Sequence, residues 1–393
     1  MTPKIKVAYL LNSTLPNSGA TRSLHELLVK LCPLGVEPYF IVPDTNGYYA
    51  TLQEKNIPTL VVNFRPHTYT YTNTVKDWLL FLPRMVARGV LNRRASRTIA
   101  RWLEEEGVQL VHTNVGVAKV AYDAARKLSI PHVYHLREYG DKDFKMYYFP
   151  SHKALEEQLK TCHSISITRD ICRYHCGKEG KNARVIYDGI MPERKIMPET
   201  PKERFLLFAG RVEPAKGVDF LLRAYGQYCR QSDAPLPLKI AGSTAKANYF
   251  ARMKRIVEEE NIGKYVEFLG ERNDIMDLMQ RALAIVIPSP SEGFGRCITE
   301  AMFNGCLAIG RNTAGTKEQL DNGLAACGEE IALRFETVAE LALNMLAIER
   351  NPQGFSDMRN RAFKVVNSLY SSEISASKVY KYYQEILETP HNG

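Results

Sequence analysis

In the stretch PSPSEGFGRCITEAM, Pro288 to Met302, two carboxylates, Glu292 and Glu300, stand eight residues apart around a Gly-Phe-Gly loop. Gly293 and Gly295, on either side of Phe294, let the backbone approach a ligand closely. A helix expected to begin near Arg296 would add unpaired N–H groups and the positive end of its dipole, which together make a seat for phosphate. Glu300 then lies about one turn into that helix and Glu292 on the loop before it, on opposite flanks of an anion site. An ionised carboxylate that accepts two neighbouring hydroxyls is a strong way to hold a sugar. Sugar, diphosphate and ribose in that order are the parts of a sugar nucleotide.

A second segment, AGRVEPAKG, follows the apolar run ending at Phe208. Gly210 and Gly217 permit tight backbone there, and Arg211 and Lys216 bring two cations suited to a diphosphate, the first by bidentate gripping and the second as a mobile point charge. The plainer alternative is a solvated turn before a helix.

The elements that must position these residues come in two alternating strand and helix series. The first has apolar runs at KVAYLL, PYFIV, TLVVNF, QLVHT, HVYHL and SISI, separated mostly by helix-period stretches such as SLHELLVKL and AKVAYDAARKL, and ends near ARVIYDGI. A polar linker with prolines, MPERKIMPETPKE, leads to the second: RFLLFAG, LKIAG, VEFLG, AIVIP, CLAIG and EIALRF. Strands alternating with helices predict an α/β protein with parallel, doubly wound sheets, whose ligands gather at the carboxyl ends of strands. The expected domains are residues 1–190 and 191–371, followed by 372–393, where Val379, Tyr382, Tyr383, Ile386 and Leu387 share a helical face that must be buried against one or both of them.

Composition narrows the class. A 45% apolar and 24% charged chain of 393 residues is ordinary for a soluble two-domain protein. It has no run of about 18 apolar residues, and MTPKIKVAYLLNS has no secretory pattern, so a cytoplasmic location is expected. The eight cysteines are scattered as reduced core thiols would be. Cys162, His163, Cys172, His175 and Cys176 do cluster, but match no usual zinc spacing, and an ordinary helix with its lead-in strand explains them. The net charge of +9 concentrates between Val75 and Arg101, where seven Lys or Arg against one Asp interleave with Trp78, Leu79, Leu80, Phe81 and Leu82. That pattern fits either an anionic membrane surface or a solvated face on a core helix. No nucleic-acid module is present. Asp141-Lys142-Asp143 is a D-x-D of the kind that holds a metal-bound diphosphate in a different transferase fold, but so short a pattern often arises by chance, and NSTLPNSGATRS lacks dinucleotide-site spacing. His112 reads as a core position or a second cleft residue.

Taken together, GRVEPAKG, the IAG strand end, FLG, PSPSEGFGRCITEAMFNG and TAGTKE resemble the C-terminal half of glycosyltransferase family 4, the Glu292 and Glu300 spacing matching that family's E-x7-E motif. NSGATRSL resembles the Gly-rich loop after the family's first strand, and PHVYHLRE places His135 like its active-site histidine. The resemblance implies the GT-B fold and sugar transfer with retention at the anomeric carbon. It implies that Arg211 and Lys216 bind the donor phosphates, Glu292 the transferred sugar and Glu300 the ribose. Gly19 and Ala20 would pass close to the diphosphate and His135 would line the reacting centre. No catalytic metal is expected, and the base is open. The chain departs from the family at Thr244, Ala314 and Asp188, which clouds the choice of sugar and base.

The expected activity is transfer from a nucleoside-diphosphate sugar to a saccharide or lipid-linked acceptor, in synthesis of cell-surface polysaccharide or glycoconjugate, at the inner face of the plasma membrane if residues 75–101 meet lipid. A GT-B sugar-nucleotide epimerase and a non-catalytic carbohydrate-binding protein are the alternatives.

Overall fold

The computed structural model describes residues 4–15, 18–70, 74–244 and 247–389. Asn17 of the Gly-rich loop, and Ala245 and Lys246 after the IAG strand, lie outside the described residues. The chain divides into two compact units, one running up to Gly189 and resuming at Ser372, the other spanning Ile190–Ser371.

The strands of the first unit are β1 (Ile5–Leu10), β2 (Val36–Val42), β3 (Thr59–Val61), β4 (Thr68–Thr70), β5 (Leu110–Thr113), β6 (His132–Leu136), β7 (Met146–Tyr148), β8 (His163–Ser166) and β9 (Ala183–Val185). Seven of them form a sheet in the order β3-β2-β1-β5-β6-β8-β9, while β4 and β7 pair antiparallel on their own. Every pairing in the seven-stranded sheet is parallel. Alternation along β1 explains how both faces are covered: Val7 and Tyr9 join one apolar cluster with Leu24, Leu27 and Leu31, and Ala8 and Leu10 join another with Ile99, Leu103 and Ala121.

Three helices of this unit matter below. In α1 (Gly19–Leu34), the Ser18 side chain caps the first turn by accepting from Thr21 N–H. The 31-residue α2 (Val75–Glu105) buries Ala95, Ile99 and Leu103 near its end. Much of its first half is bare: Trp78 is 77%, Leu79 63% and Leu82 68% exposed. The last helix of the unit (Ser372–Glu388) lays Val379, Tyr382, Tyr383 and Ile386 into the cluster that holds Val7 and Tyr9.

The second unit has one parallel sheet, built from β10 (Leu206–Ala209), β11 (Leu238–Ala241), β12 (Val266–Gly270), β13 (Ala284–Ile287), β14 (Leu307–Arg311) and β15 (Leu333–Phe335) in the order β12-β11-β10-β13-β14-β15. Its strands are near-continuous apolar runs because helices cover both faces. Strand order reverses between β1 and β5 in the first sheet and between β10 and β13 in the second. Such switch points are where open α/β sheets leave a crevice for ligands.

Candidate active site

At the switch point of the second sheet, β10 runs into Gly210 and Arg211 and then a short 3-10 turn, Pro214–Lys216. Strand β13 runs into the loop holding Glu292, and the helix Arg296–Phe303 starts directly after Gly295, which takes the left-handed conformation at φ +83°. Lys216 Nζ donates to Glu292 Oε1 at 2.7 Å, closing the two loops on each other. Backbone packing holds them there: a Cβ on Gly217 would sit 2.4 Å from Pro288 O, so only glycine fits. The thiol of Cys297 donates to Ala209 O at 3.2 Å, tying the helix to the end of β10.

The carboxylate of Glu300 is buried, 7% exposed, and lies 3.4 Å from Arg296 Nη2. Desolvation, reinforced by the charges of Glu300 and Glu292, pushes the Cys297 thiol well above its ordinary value. A thiol so placed stays protonated and is no nucleophile. Arg211 is turned toward Glu213 at 3.0 Å with its side chain 56% exposed.

A third segment supports the loop. Gly315, near the start of the helix Ala314–Cys327, donates its N–H to Glu292 O at 2.9 Å, and a Cβ there would meet Gly293 O at 2.6 Å. From the same helix, Gln319 donates to Phe294 O and bonds Thr299. The backbone around Phe294 and Gly295 is thereby fixed before any ligand arrives, and the ring of Phe294 packs edge-on against Tyr370 at 5.4 Å. Gln319 lies one residue beyond TAGTKE, and nothing in the sequence marked it; a glutamine on a helix facing a loop 25 residues away has no local signature.

In the first unit, the corresponding switch point gathers His135 with residues the sequence did not connect to it. Arg137 Nη1 donates to both oxygens of Asp188, at 2.6 and 2.7 Å, and both side chains are buried. Ser23 of α1 donates to Asp188 Oδ2 at 3.0 Å, Arg137 Nε donates to Asn114 O at 3.1 Å, and Asn114 Nδ2 donates to Ala20 O at 2.9 Å. Gly19 and Ala20 thus open α1 at the carboxyl edge of β1, anchored to the end of β5.

This network also settles the tautomer of His135. Arg137 Nη2, 3.2 Å from His135 Nδ1, can only donate, so Nδ1 is unprotonated. It therefore also accepts from His112 Nε2 at 3.1 Å, which leaves His112 Nδ1 to accept from the Tyr383 hydroxyl at 2.6 Å. Burial, with Arg137 next in importance, pushes the pKa of both imidazoles well below the ordinary value, in keeping with neutral rings. The proton of His135 sits on Nε2, which is buried, has no hydrogen-bond partner, and lies 3.9 Å from Asp188 Oδ1. His112 is thus a core position that orients its neighbour, and Asp188, noted in the sequence only as a departure, is the anion of the buried pair.

Comparison with known proteins bears on the second unit first. Residues 191–365 match the family model of glycosyl transferases group 1. The group 1 stretch contains Arg211, Lys216, Glu292 and Glu300. Among sequence relatives, the chain is 26% identical over 230 residues to the uncharacterized glycosyltransferase MJ1178 of Methanocaldococcus jannaschii, covering 56% of this chain and 61% of that one. It is 25% identical to N-acetyl-alpha-D-glucosaminyl L-malate synthase of Bacillus anthracis, covering 49% and 48% of the two chains. The chain therefore spans about half to three fifths of the length of these relatives.

Likeness of fold extends over nearly the whole chain. Anabaena Alr3699/HepE, solved in complex with UDP, superposes with a TM-score of 0.75 at 17% identity, covering 97% of this chain and 100% of that one. A glycosyltransferase from Rickettsia africae ESF-5 gives a TM-score of 0.75 at 17% identity, covering 98% and 100%. Both units thus have the Rossmann-like architecture of GT-B proteins. Among the described residues, no three His, Cys, Asp or Glu side chains converge as a metal site, and no helix is long and apolar enough to cross a membrane.

Proposed function

We propose that the protein is a retaining, hexosyltransferase-type enzyme that moves a sugar from a nucleoside-diphosphate sugar to a saccharide or lipid-linked saccharide acceptor. The observation that carries this reading is the Lys216–Glu292 pair at the switch point of the group 1 domain, beside the N-terminus of the helix bearing Glu300. A cation, helix N–H groups and two carboxylates are there the parts needed for a diphosphate flanked by two sugars.

In this reading the demanding step is departure of the nucleoside diphosphate from the anomeric carbon, through an oxocarbenium-like transition state. Lys216, Arg211 and the helix N–H groups after Gly295 stabilise the charge that develops on the leaving phosphate. These fixed positive groups take the part a divalent ion plays elsewhere, and the reaction needs no metal. Glu292 holds hydroxyls of the transferred sugar, Glu300 those of the ribose, and Gly19 and Ala20 approach the diphosphate. The buried Nε2–H of His135 is a ready donor to an oxygen of the sugar at the reacting centre.

Since Alr3699/HepE was solved with UDP, that nucleotide heads the panel to test. Thermal stabilisation by UDP, GDP, dTDP or ADP identifies the base; absence of any response to all four overturns the donor assignment. Incubation with the matching sugar nucleotide alone then tests for transfer chemistry. Slow hydrolysis agrees with it, while interconversion of the sugar shows an epimerase. The basic, apolar first half of α2 supports a peripheral place at the cytoplasmic face of a membrane, where an acceptor for cell-surface polysaccharide or glycoconjugate would be met.

A further inference from the structure

The first unit has a pocket of about 190 Å³ that the donor reading does not use and that His135 does not line. Its wall includes Tyr69 of β4, Tyr147 and Tyr148 of β7, Tyr174, Asp141 and His152. One of its side chains is suited to receive a polar ligand. Asp141 accepts from Tyr174 Oη at 2.7 Å and from Lys142 N–H at 2.8 Å on Oδ1, which leaves Oδ2 as an acceptor.

We propose that this pocket is a saccharide subsite that takes one pyranose ring of the acceptor, an assignment that rests on the glycosyl-transfer reading above. The volume is below the roughly 300–1,000 Å³ of sites for drug-sized ligands, so it suits a single ring rather than a nucleotide. Tyrosine combines a broad apolar face with a polar tip, which matches a sugar ring's C–H face and its hydroxyl rim. A hydroxyl of the ring can donate to Asp141 Oδ2 while its C–H face meets a tyrosine ring.

The pocket's neighbour fits the same occupant. Tyr69 packs edge-on against Phe81 of α2 at 5.1 Å, Phe81 meets Phe149 at 6.1 Å, and Arg88 of α2 donates to Thr68 O at 3.1 Å. The wall of the sugar pocket is thus continuous with the helix whose Trp78, Leu79 and Leu82 are exposed. A saccharide carried on a lipid would place its ring and its anchor on these two adjoining surfaces.

The test uses the full chain and ligand-observed NMR with methyl glycosides of glucose, galactose, mannose and N-acetylglucosamine at millimolar concentration, with choline chloride in parallel. At least one glycoside should bind, and Asp141→Asn and Tyr147→Ala should each weaken it about tenfold or more, with UDP, GDP, dTDP or ADP binding unchanged. Wild-type protein that binds a nucleotide but no glycoside overturns the subsite, as does glycoside binding that both variants retain, or a response to choline alone. Glycoside binding without any nucleotide binding would instead leave the pocket standing and remove the donor assignment.

Discussion

Lys216 Nζ and Glu292 Oε1 lie 2.7 Å apart, joined across the loops that follow two adjacent parallel strands, β10 and β13. With side chains 26% and 17% exposed, the pair is partly screened by solvent, so its worth to folding is modest; its importance is positional. Lys216 is held at the mouth of the helix that carries Glu300, where a leaving phosphate's charge would develop.

Removing that cation should therefore be felt in turnover far more than in stability. Lys216→Ala is expected to lower kcat by about a hundredfold or more, the scale for losing one contact to transition-state charge. It also leaves Glu292 unneutralised beside an incoming anion. Arg211→Ala should act in the same direction, its guanidinium leaving Glu213 for the phosphate. Steady-state rates on purified variants with unchanged melting temperature check this, and near-normal turnover in both would remove the phosphate assignment.

The opposite division is expected at Arg137 and Asp188. Both are buried, 8% and 5% exposed, and each oxygen of Asp188 is within 2.7 Å of Arg137 Nη1. Taking away one partner strands the other's charge in the interior, so Arg137→Met and Asp188→Leu should each cost about 3–5 kcal/mol by urea unfolding. The double variant should recover much of that loss, since it removes both charges. Additive losses in the double variant would show that the ion pair is not what the singles break.

Much of this arrangement was legible in the sequence because its signals are local. The apolar runs ending at Phe208 and Ile287, the glycines after them and the E-x7-E spacing alone put Lys216, Glu292 and Glu300 at one edge of one sheet. What stayed hidden depends on pairing across the chain. Arg137 and Asp188 are 51 residues apart, and Tyr383 reaches His112 across 271 residues, so no periodicity links them. The β4–β7 ribbon escaped for a similar reason, since TYT and MYY are three-residue strands too short to show alternation. The ion pair between Lys216 and Glu292 was also out of reach: sequence order gave each a ligand to hold, but not each other.

Stability should fall in acid for an identifiable reason. Burial pushes the pKa of His132 down to about 3 from an ordinary 6.5, and those of His67 and His175 down to about 4. The native state keeps these rings neutral, so below pH 6.5 the unfolded chain binds more protons than the folded one. Stability is then complete above pH 6.5 and is lost as pH falls toward 3 to 4. His132 alone accounts for a loss on the order of 4 kcal/mol across that window. His132→Gln should be less stable at pH 7.5, because the bond between His132 Nε2 and Thr113 Oγ1 at 2.7 Å is disturbed, yet its stability should depend less on pH. Urea melts of both proteins from pH 7.5 down to 4 decide it, and parallel curves would clear His132 of the effect.

The exposed start of α2 makes the last prediction. A 31-residue helix is about 46 Å long, yet the apolar side chains it buries lie in its final third. Leaving Trp78, Leu79, Leu82 and Val86 bare to water, each more than 60% exposed, is costly unless something apolar covers them. The basic residues interleaved with them, Lys76, Arg84, Arg88, Arg93 and Arg94 among them, select an anionic cover. In flotation, the protein should follow vesicles of phosphatidylglycerol and not of phosphatidylcholine, and added salt should release it as the surface potential is screened. Trp78→Ser with Leu82→Ser should abolish flotation by removing the inserted groups. Lys76→Gln and Arg84→Gln should weaken it about fivefold each, the equivalent of roughly 1 kcal/mol per basic residue near the surface. Equal binding to both lipids would mean that charge plays no part, and no binding to either would leave the apolar stripe without a membrane to face.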